Sequence, residues 1–259
     1  MDYPYNNIFD SHAHYDLRQF NPDRDAVLSK LPSQGVRYIL NAGIDFESSL
    51  AGIALAKKYD FVYCSAGFHP HDAKSAPKGF TKRLGEVLQQ PCMRAVGEMG
   101  LDYFRDLSPR EVQRRVYEEQ LGLAKELDMP VIIHDRDAHR DTYDILKKYR
   151  PAGVVHCYSG SAEMARQLVK LGLYIGFSGV VTYGNARKLL EAARAVPVEH
   201  MLIETDCPYL TPEPNRGKRC DSSMLRYTAE VLAREKGMDT QAFIDRTTKN
   251  ALELYRIDN

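Results

Sequence analysis

The sequence predicts a single-domain α/β protein, a (β/α)8 TIM barrel that spans residues 1–259. A length of 259 residues is typical of one closed barrel of this kind. Eight short apolar runs alternate along the chain with longer segments of helical periodicity, and no linker or low-complexity tract interrupts them. An open doubly wound sheet remains the main alternative, because it has the same alternation of strands and helices.

The eight runs are short and apolar, as expected for parallel strands that are buried on both faces. They occupy residues 7–11, 36–42, 61–66, 93–96, 131–133, 153–155, 174–177 and 201–203. Several residues at the starts of the intervening helices resemble caps. Ser108 with Pro109 suggests the start of one helix, and Asp221 and Asp239 suggest the starts of two helices near the end of the chain.

Composition argues against several classes of protein. Lysine plus arginine equals aspartate plus glutamate at 35 each, so the chain is not expected to coat nucleic acid through bulk charge, although it can bind nucleic acid locally as a substrate. The five cysteines are scattered and lack a CxxC pair, which indicates reduced thiols. The opening MDYPYNNIFD lacks the features of a signal peptide, so we expect a cytoplasmic monomer without membrane or protein partners.

Five of the eight histidines follow the C-terminal ends of predicted strands, the edge at which α/β barrels place their active sites. His12 and His14 in the first strand should face the same side, because strand side chains alternate, and can bind one metal ion together. His134 and His156 each end a buried strand. Either pair can instead be ordinary: two polar residues in a turn, or two satisfied core histidines.

Two acids complete the pattern at the same edge. Glu98 lies between glycines that let the chain turn closely, and its carboxylate can hold two cations, although a single glutamate more often caps a helix or faces solvent. Asp206 ends the last strand beside the first, where it can ligate a metal ion or accept a proton from water. Glu204 has the same strand parity as Asp206 and can support a ligand.

Together these residues form a ligand set of four imidazoles and two carboxylates, which suits Zn²⁺, Mn²⁺ or Mg²⁺. Two divalent ions about 3.5 to 4 Å apart and bridged by Glu98 fit the set best. The expected metal ligands are His12, His14, Glu98, His134, His156 and Asp206.

Seven motifs in this order resemble those of the TatD-related metal-dependent hydrolases. They are DSHAHYD, AGFHPHD, AVGEMGLDYFRD, PVIIHDRDAHRDT, GVVHCYSGS, GFSGVVTYGNA and LIETDCPYLTPEPNRGKR. The resemblance implies a TIM barrel with two metal ions and a deoxyribonuclease activity, often that of a 3′ to 5′ exonuclease on single-stranded DNA. Some relatives act on RNA ends or deacylate D-aminoacyl-tRNA.

The resemblance also suggests a role for each ligand. One ion would be bound by His12, His14, Glu98 and Asp206, and the other by Glu98, His134 and His156. Glu98 is thereby a bridging catalytic residue, and Asp206 is the candidate base. The amidohydrolase relatives usually have a carboxylated lysine at the bridging position, and its absence favours the TatD branch.

Substrate contacts are expected around this centre. His69 in GFHPHD is a candidate phosphate ligand or proton donor, although it can instead simply shape the turn before Pro70. Arg136 and three cations of the PNRGKR loop can hold phosphates. The three are Arg216, Lys218 and Arg219. Charged residues in such runs are more often simply solvated at the surface. Five aromatic residues can stack bases or merely pack: Tyr103, Phe104, Tyr158, Tyr183 and Tyr209.

The sequence departs from the family pattern after RGKR, where Cys220, Asp221 and Ser222 replace the usual Asn-Glu-Pro. Because this loop is expected to border the substrate, the departure affects the predicted substrate preference. The leading hypothesis is cleavage of phosphodiester bonds in DNA by water that the metal ions activate. Two alternatives remain: hydrolysis of an ester or amide, such as D-aminoacyl-tRNA or a lactone, and a catalytically silent barrel that binds metal or nucleic acid.

Overall fold

Residues 3–258 are described by a computed structural model of the chain. The predicted domain of residues 1–259 therefore extends beyond the described part at residues 1, 2 and 259. Eight parallel strands form one sheet in the order β1 to β8, which matches their order in the sequence. The strands are β1 Ile8–Ala13, β2 Val36–Asn41, β3 Val62–Ala66, β4 Met93–Asp102, β5 Val131–Arg136, β6 Gly153–Val155, β7 Tyr174–Phe177 and β8 Met201–Ile203.

Helices follow the strands around the outside of the sheet. They are α1 Arg24–Lys30, α2 Phe46–Lys58, α3 Phe80–Leu88, α4 Arg110–Glu126, α5 His139–Tyr149, α6 Ala162–Lys170, α7 Arg187–Ala195, α8 Leu225–Lys236 and α9 Thr240–Tyr255. None of the helices in residues 3–258 is both long and apolar enough to span a bilayer.

The first and last strands meet just beyond β8 and close the ring. Ala13 pairs with Cys207 in a parallel bridge. The amide of His14 donates to the carbonyl of Cys207 at 2.9 Å, and the amide of Asp206 donates to the carbonyl of His12 at 2.9 Å. The predicted closed barrel is thus confirmed, and the doubly wound sheet is excluded.

Strand β4 is longer than predicted, because it continues from Val96 through Gly97 and Gly100 to Asp102. The prediction that these glycines turn the chain was wrong. A Cβ atom at Gly100 would lie 1.9 Å from the carbonyl oxygen of His134 on β5, so the residue must be glycine for the two strands to approach. The extension places Glu98 and Asp102 on one side of the same strand.

The interior of the barrel is apolar at one end and polar at the other. Ile132, Val154 and Leu202 belong to a buried cluster that also includes Tyr255 of α9. Helix α9 lies at the N-terminal end of the strands, where the hydroxyl of Thr248 donates to the carbonyl of Asn7 at 2.7 Å. Since side chains alternate along a strand, the residues two positions further share the inner side at the opposite end. Those residues are His134, His156 and Glu204.

The predicted caps have different outcomes. Asp239 caps α9, and Asp221 caps the short 3-10 turn Ser222–Met224 that leads into α8. The prediction for Ser108 was wrong, because α4 begins at Arg110 and Pro109 occupies its N-cap position. The hydroxyl of Ser108 instead donates to the carbonyl of His71 at 2.8 Å, which ties the loop after β4 to the loop after β3.

The Asp239 cap provides a test of how α9 is held. The carboxylate of Asp239 accepts a hydrogen bond from the amide of Ala242 at 3.0 Å. Asp239→Ala removes this acceptor and should lower the free energy of unfolding by about 1 kcal/mol, measured by chemical denaturation. Asp239→Asn keeps an acceptor oxygen and should remain close to the original stability. Equal losses in the two variants would contradict a capping role.

Candidate metal centre

The predicted ligands from five strands meet at the C-terminal mouth of the barrel. Nε2 of His12 lies 3.1 Å from Nε2 of His14. Nε2 of His14 lies 3.3 Å from Oδ1 of Asp206. Nε2 of His156 lies 3.5 Å from Nδ1 of His134. Residues separated by up to 194 positions in the chain, from His12 to Asp206, are therefore neighbours in space.

Glu98 lies at the centre of the cluster, and its two oxygen atoms face different histidines. Oε2 lies 3.3 Å from Nε2 of His12 and 3.6 Å from Nε2 of His14. Oε1 lies 2.8 Å from Nε2 of His156 and 2.9 Å from Nδ1 of His134. The side chain is nearly inaccessible to solvent, so the alternatives of a helix cap or a solvent-facing glutamate are excluded.

The donor atoms have the spacing expected of metal ligands. Bonds of 2.0 to 2.1 Å to a tetrahedral zinc ion place neighbouring ligand atoms about 3.3 Å apart. The distances among the donor atoms of His12, His14 and Asp206 run from 3.1 Å to 3.8 Å, and Oε2 of Glu98 lies 3.3 Å and 3.6 Å from the two histidines. Two imidazole nitrogens that face each other at 3.1 Å cannot both carry a proton, and a shared cation satisfies both lone pairs. The residues present thus fit a divalent ion.

Among residues 3–258, three groups have donor atoms close enough to share an ion. They are His12 with His14 and Asp206, His12 with Glu98 and His156, and His69 with Glu98 and His134. The first group contains three of the four ligands that the family resemblance implies for one ion and lacks Glu98. The ligands implied for the second ion are divided between the other two groups, so the assignment of ligands to two ions stays a prediction.

Charge interactions within the cluster keep both acids ionised. Burial favours the neutral form of Glu98, but the positive charge of His156 outweighs burial and holds its pKa well below the ordinary value. Burial of Asp206 is likewise outweighed by its hydrogen bond and charge interaction with His14, and its pKa is lowered. Both carboxylates are therefore ready to bind cations at neutral pH.

The histidines differ in their affinity for protons. Burial alone favours a neutral His14, but the hydrogen bond to Asp206 and the charges of Asp206 and Glu98 outweigh it and raise the pKa of His14 to about 9. Burial dominates at His69 and lowers its pKa to about 4. In the absence of a cation, His14 is thus protonated at neutral pH and His69 is neutral.

His69 shapes the turn that begins at Pro70 and also lies beside the cluster, while its contact with phosphate stays a prediction. Its Nδ1 accepts a hydrogen bond from the amide of His71 at 3.1 Å, which shapes the turn Pro70–Ser75. Its Nε2 lies 3.3 Å from Oε1 of Glu98 and 3.3 Å from Nδ1 of His134. One ring nitrogen therefore organises the loop, while the other faces the cluster.

Glu204 contacts the metal-binding residue His156, as its position in the strand predicted. It is fully buried, and its Oε1 accepts a hydrogen bond from the amide of Cys157 and lies 3.5 Å from Nδ1 of His156. A Cβ atom at Gly176 would lie 2.4 Å from Oε2 of Glu204, so β7 must have glycine here to accommodate the carboxylate.

Sequence reasoning missed a second pair of residues beside His134. Oδ2 of Asp102 lies 2.7 Å from Nε2 of His71 and 3.1 Å from Nε2 of His134. Asp102 thus fixes the orientation of the His134 ring, as acids next to metal-ligating histidines commonly do. The predicted strand stopped at Val96. A strand that continued to Asp102 would have placed Asp102 on the same side as Glu98 and so would have indicated it as a site residue.

The segment after RGKR, which was expected to border the substrate, forms buried hydrogen bonds with β1. The hydroxyl of Ser222 is fully buried and donates to Oδ2 of Asp10 at 2.6 Å. Asp10 also accepts hydrogen bonds from the amide of Thr205 at 2.9 Å and from its hydroxyl at 2.6 Å. Ser222 therefore helps to join β1 to the segment after β8.

A cavity of about 530 Å³ opens above the cluster. Arg136 lines it, as does Arg105, which sequence reasoning did not single out. The three cations of the PNRGKR loop do not line it. Arg216 lies 3.9 Å from the Glu213 carboxylate, Lys218 donates to Asn215 at 3.0 Å, and Arg219 pairs with Asp23 at 2.7 Å. Their contact with substrate stays a prediction.

Metal binding should release protons, because a cation must displace the proton from His14. We expect the affinity for Mn²⁺ or Zn²⁺ to rise with pH at least up to about 9, the pKa of His14, because His156, whose pKa is also raised, must lose a proton as well. Calorimetric titration in buffers of different ionisation enthalpy measures the protons released. His200→Gln, at a histidine outside the cluster, should leave the release unchanged. A metal affinity that does not change between neutral pH and the pKa of His14 would contradict the proposal that the cation and a proton compete for His14.

Comparison with known proteins agrees with this geometry. A family model described as TatD-related DNase matches residues 9–256. The uncharacterized metal-dependent hydrolase YabD of Bacillus subtilis is 39% identical over 254 residues, which cover 97% of this chain and 100% of YabD. The 3′-5′ ssDNA/RNA exonuclease TatD of Salmonella typhimurium is 33% identical over 259 residues, which cover 96% of this chain and 99% of that protein.

A solved structure agrees at the level of the fold. The crystal structure of YJJV, a TatD homologue from Escherichia coli K12, superposes with a TM-score of 0.91 and 30% identity, covering 97% of this chain and 99% of that one. The expected resemblance is thereby confirmed over almost the full length. The chain belongs to the TatD family of metal-dependent hydrolases.

Proposed function

We propose that this protein hydrolyses phosphodiester bonds in DNA as a 3′ to 5′ exonuclease on single strands, with two divalent ions, either Zn²⁺, Mn²⁺ or Mg²⁺. The observation that carries the proposal is the division of the Glu98 carboxylate, with Oε2 facing His12 and His14, and Oε1 facing His134 and His156. Carboxylate bridges of this kind are suited to paired metal ions. The Salmonella relative, described as an exonuclease on single-stranded DNA and RNA, supports the choice of substrate.

The proposal assigns the ligands to two ions. One ion would be held by His12, His14, Asp206 and Glu98. The other would be held by Glu98, His134 and His156. Nε2 of His69 carries the ring proton, because Nδ1 accepts from the amide of His71, so His69 can donate a hydrogen bond to a phosphoryl oxygen.

When bound, the two ions supply positive charge for the phosphoryl oxygens and acidify water. Asp206 accepts the proton of the attacking water. Its side chain is 19% exposed, compared with 3% for Glu98, so it is the ligand acid that water in the cavity can reach. Its lowered pKa keeps it ionised and able to accept.

Two guanidinium groups favour a phosphate over an uncharged substrate. Arg105 and Arg136 are exposed and line the cavity above the ligands. Guanidinium groups pair well with phosphate oxygens and supply fixed positive charge where the substrate backbone would lie. A lactone or an amide has no charge to match them, so hydrolysis of such substrates is the secondary outcome that parallel assays should distinguish.

Asp206→Asn tests the proposed base. The variant keeps an oxygen ligand and nearly the same volume, so the protein should retain most of its bound metal, measured by elemental analysis. Turnover of end-labelled single-stranded DNA should fall by about a hundredfold or more, because proton transfer by a positioned group contributes at least that much.

An exposed acid offers a matched control. Asp25 pairs with Lys58 at 2.6 Å on the outer surface, and Asp25→Asn should leave both metal content and turnover unchanged. Full activity in Asp206→Asn would rule out the role of Asp206 as the base. Loss of metal together with activity would assign it to ligation alone.

Removal of the ions tests the dependence on metal. Protein treated with a chelator should lose hydrolysis of single-stranded DNA and of a small phosphodiester, and should recover it when Mg²⁺, Mn²⁺ or Zn²⁺ is restored. Recovery should saturate at two ions per chain, because Glu98 bridges two sets of ligands. Activity that survives chelation, or higher turnover on D-aminoacyl-tRNA or lactones than on DNA, would contradict the proposal.

A further inference from the structure

The rim of the cavity carries two exposed aromatic rings, Phe104 and Tyr209. Their side chains are 61% and 49% exposed, and both line the cavity above the metal-binding residues. Phe104 follows β4 and Tyr209 follows the segment after β8. Strands β4 and β8 are four positions apart in a ring of eight, so the two rings come from opposite sides of the mouth. Both rings therefore border the opening above the cluster.

The other three aromatic candidates do not line the cavity. Tyr103 and Tyr183 are also only partly exposed. Tyr158 is only 4% exposed. Of the five rings named from the sequence, Phe104 and Tyr209 are therefore the two that combine high exposure with a position in the cavity wall.

Positive charge accompanies the ring of Phe104. The guanidinium carbon of Arg136 lies 4.7 Å from the ring centroid, and Arg105 is the next residue in the chain. Both arginines line the cavity. Aromatic faces for bases and cations for phosphates are the two features that sites for single-stranded nucleic acid combine.

The metal-binding residues and the two aromatic rings lie at different depths, so they would contact different parts of a nucleic acid. His12, His156 and Glu98 are almost completely buried at the floor, whereas Phe104 and Tyr209 lie at the exposed rim. A phosphodiester bond at the floor would leave the bases on either side near the rim. In a duplex the faces of these bases are already stacked and their edges are paired, so only unpaired bases can stack on protein rings.

We propose that Phe104 and Tyr209 form a nucleobase clamp, in which each ring stacks on one of the unpaired bases that flank the bond to be cleaved. Arg105 and Arg136 hold the adjoining phosphates. The clamp rests on the proposed function and assigns residues to recognition of the substrate. It selects single strands because both stacking faces must be free, and it tolerates different bases because every base has an aromatic face.

The test compares an oligothymidylate with an abasic oligomer of the same length, which has the same phosphates but no bases. The readout is the ratio of kcat/KM for the two substrates. Phe104→Ala and Tyr209→Ala should each lower this ratio about ten- to a hundredfold, the loss typical of one stacked base. Phe104→Tyr keeps an aromatic ring and should preserve the ratio.

Leu107→Ala is the matched control, since Leu107 lines the same cavity and is 51% exposed but has no aromatic face. The ratio should not change in this variant. The clamp would be contradicted if Phe104→Ala slowed cleavage of both oligomers equally, or if Leu107→Ala reduced the ratio as strongly as Phe104→Ala.

Binding separates failure of the clamp from failure of the proposed function. If the metal-loaded protein cleaved no phosphodiester, the proposed function would be wrong, and fluorescence anisotropy would still compare the affinities for the two oligomers. Tighter binding of oligothymidylate that is lost in Phe104→Ala supports the clamp. Equal affinity for both oligomers in the unaltered protein overturns it.

Discussion

The contact of one buried carboxylate with two sets of imidazoles is the interaction on which the rest of the site depends. Glu98 is almost inaccessible to water, and several imidazole nitrogens lie within 3.6 Å of its oxygens. A buried carboxylate requires compensating positive charge, and the surrounding histidines cannot all be protonated at such short mutual distances. Divalent cations between these groups would satisfy the lone pairs and the negative charge together.

The barrel explains how such a crowded arrangement can be maintained. Inward-facing residues change from apolar to polar within two positions along a strand, as from Ile132 to His134 and from Val154 to His156. The apolar end, closed by α9, provides the packed base that holds the strands. The hydrogen bond that His134 donates to Asp102, and the contact of His156 with the Glu204 carboxylate at 3.5 Å, then restrict the two rings. Because each strand end is fixed by its neighbours, the ligands are positioned before any ion binds.

Much of this arrangement was predictable, because strand order and side-chain parity are local properties of the sequence. The parity of His12, His134 and His156 predicted a common site, and these residues do converge. The full length of β4 was not predictable, since glycines in a strand resemble a turn unless the close approach of β5 is known. The contacts of Arg219 with Asp23 and of Ser222 with Asp10 join distant segments, so no pattern within either segment reveals them.

The central claim is that the two oxygens of Glu98 belong to two adjacent cation sites at the floor of the barrel. The most direct measurement is anomalous diffraction from crystals soaked in Mn²⁺, with data collected for the unaltered protein and for Glu98→Ala. The account predicts two peaks about 3.5 to 4 Å apart in the unaltered protein, one beside His14 and Asp206 and one beside His134 and His156, with both weakened in the variant. Peaks remote from Glu98, or a pair that persists undiminished without its carboxylate, would contradict it.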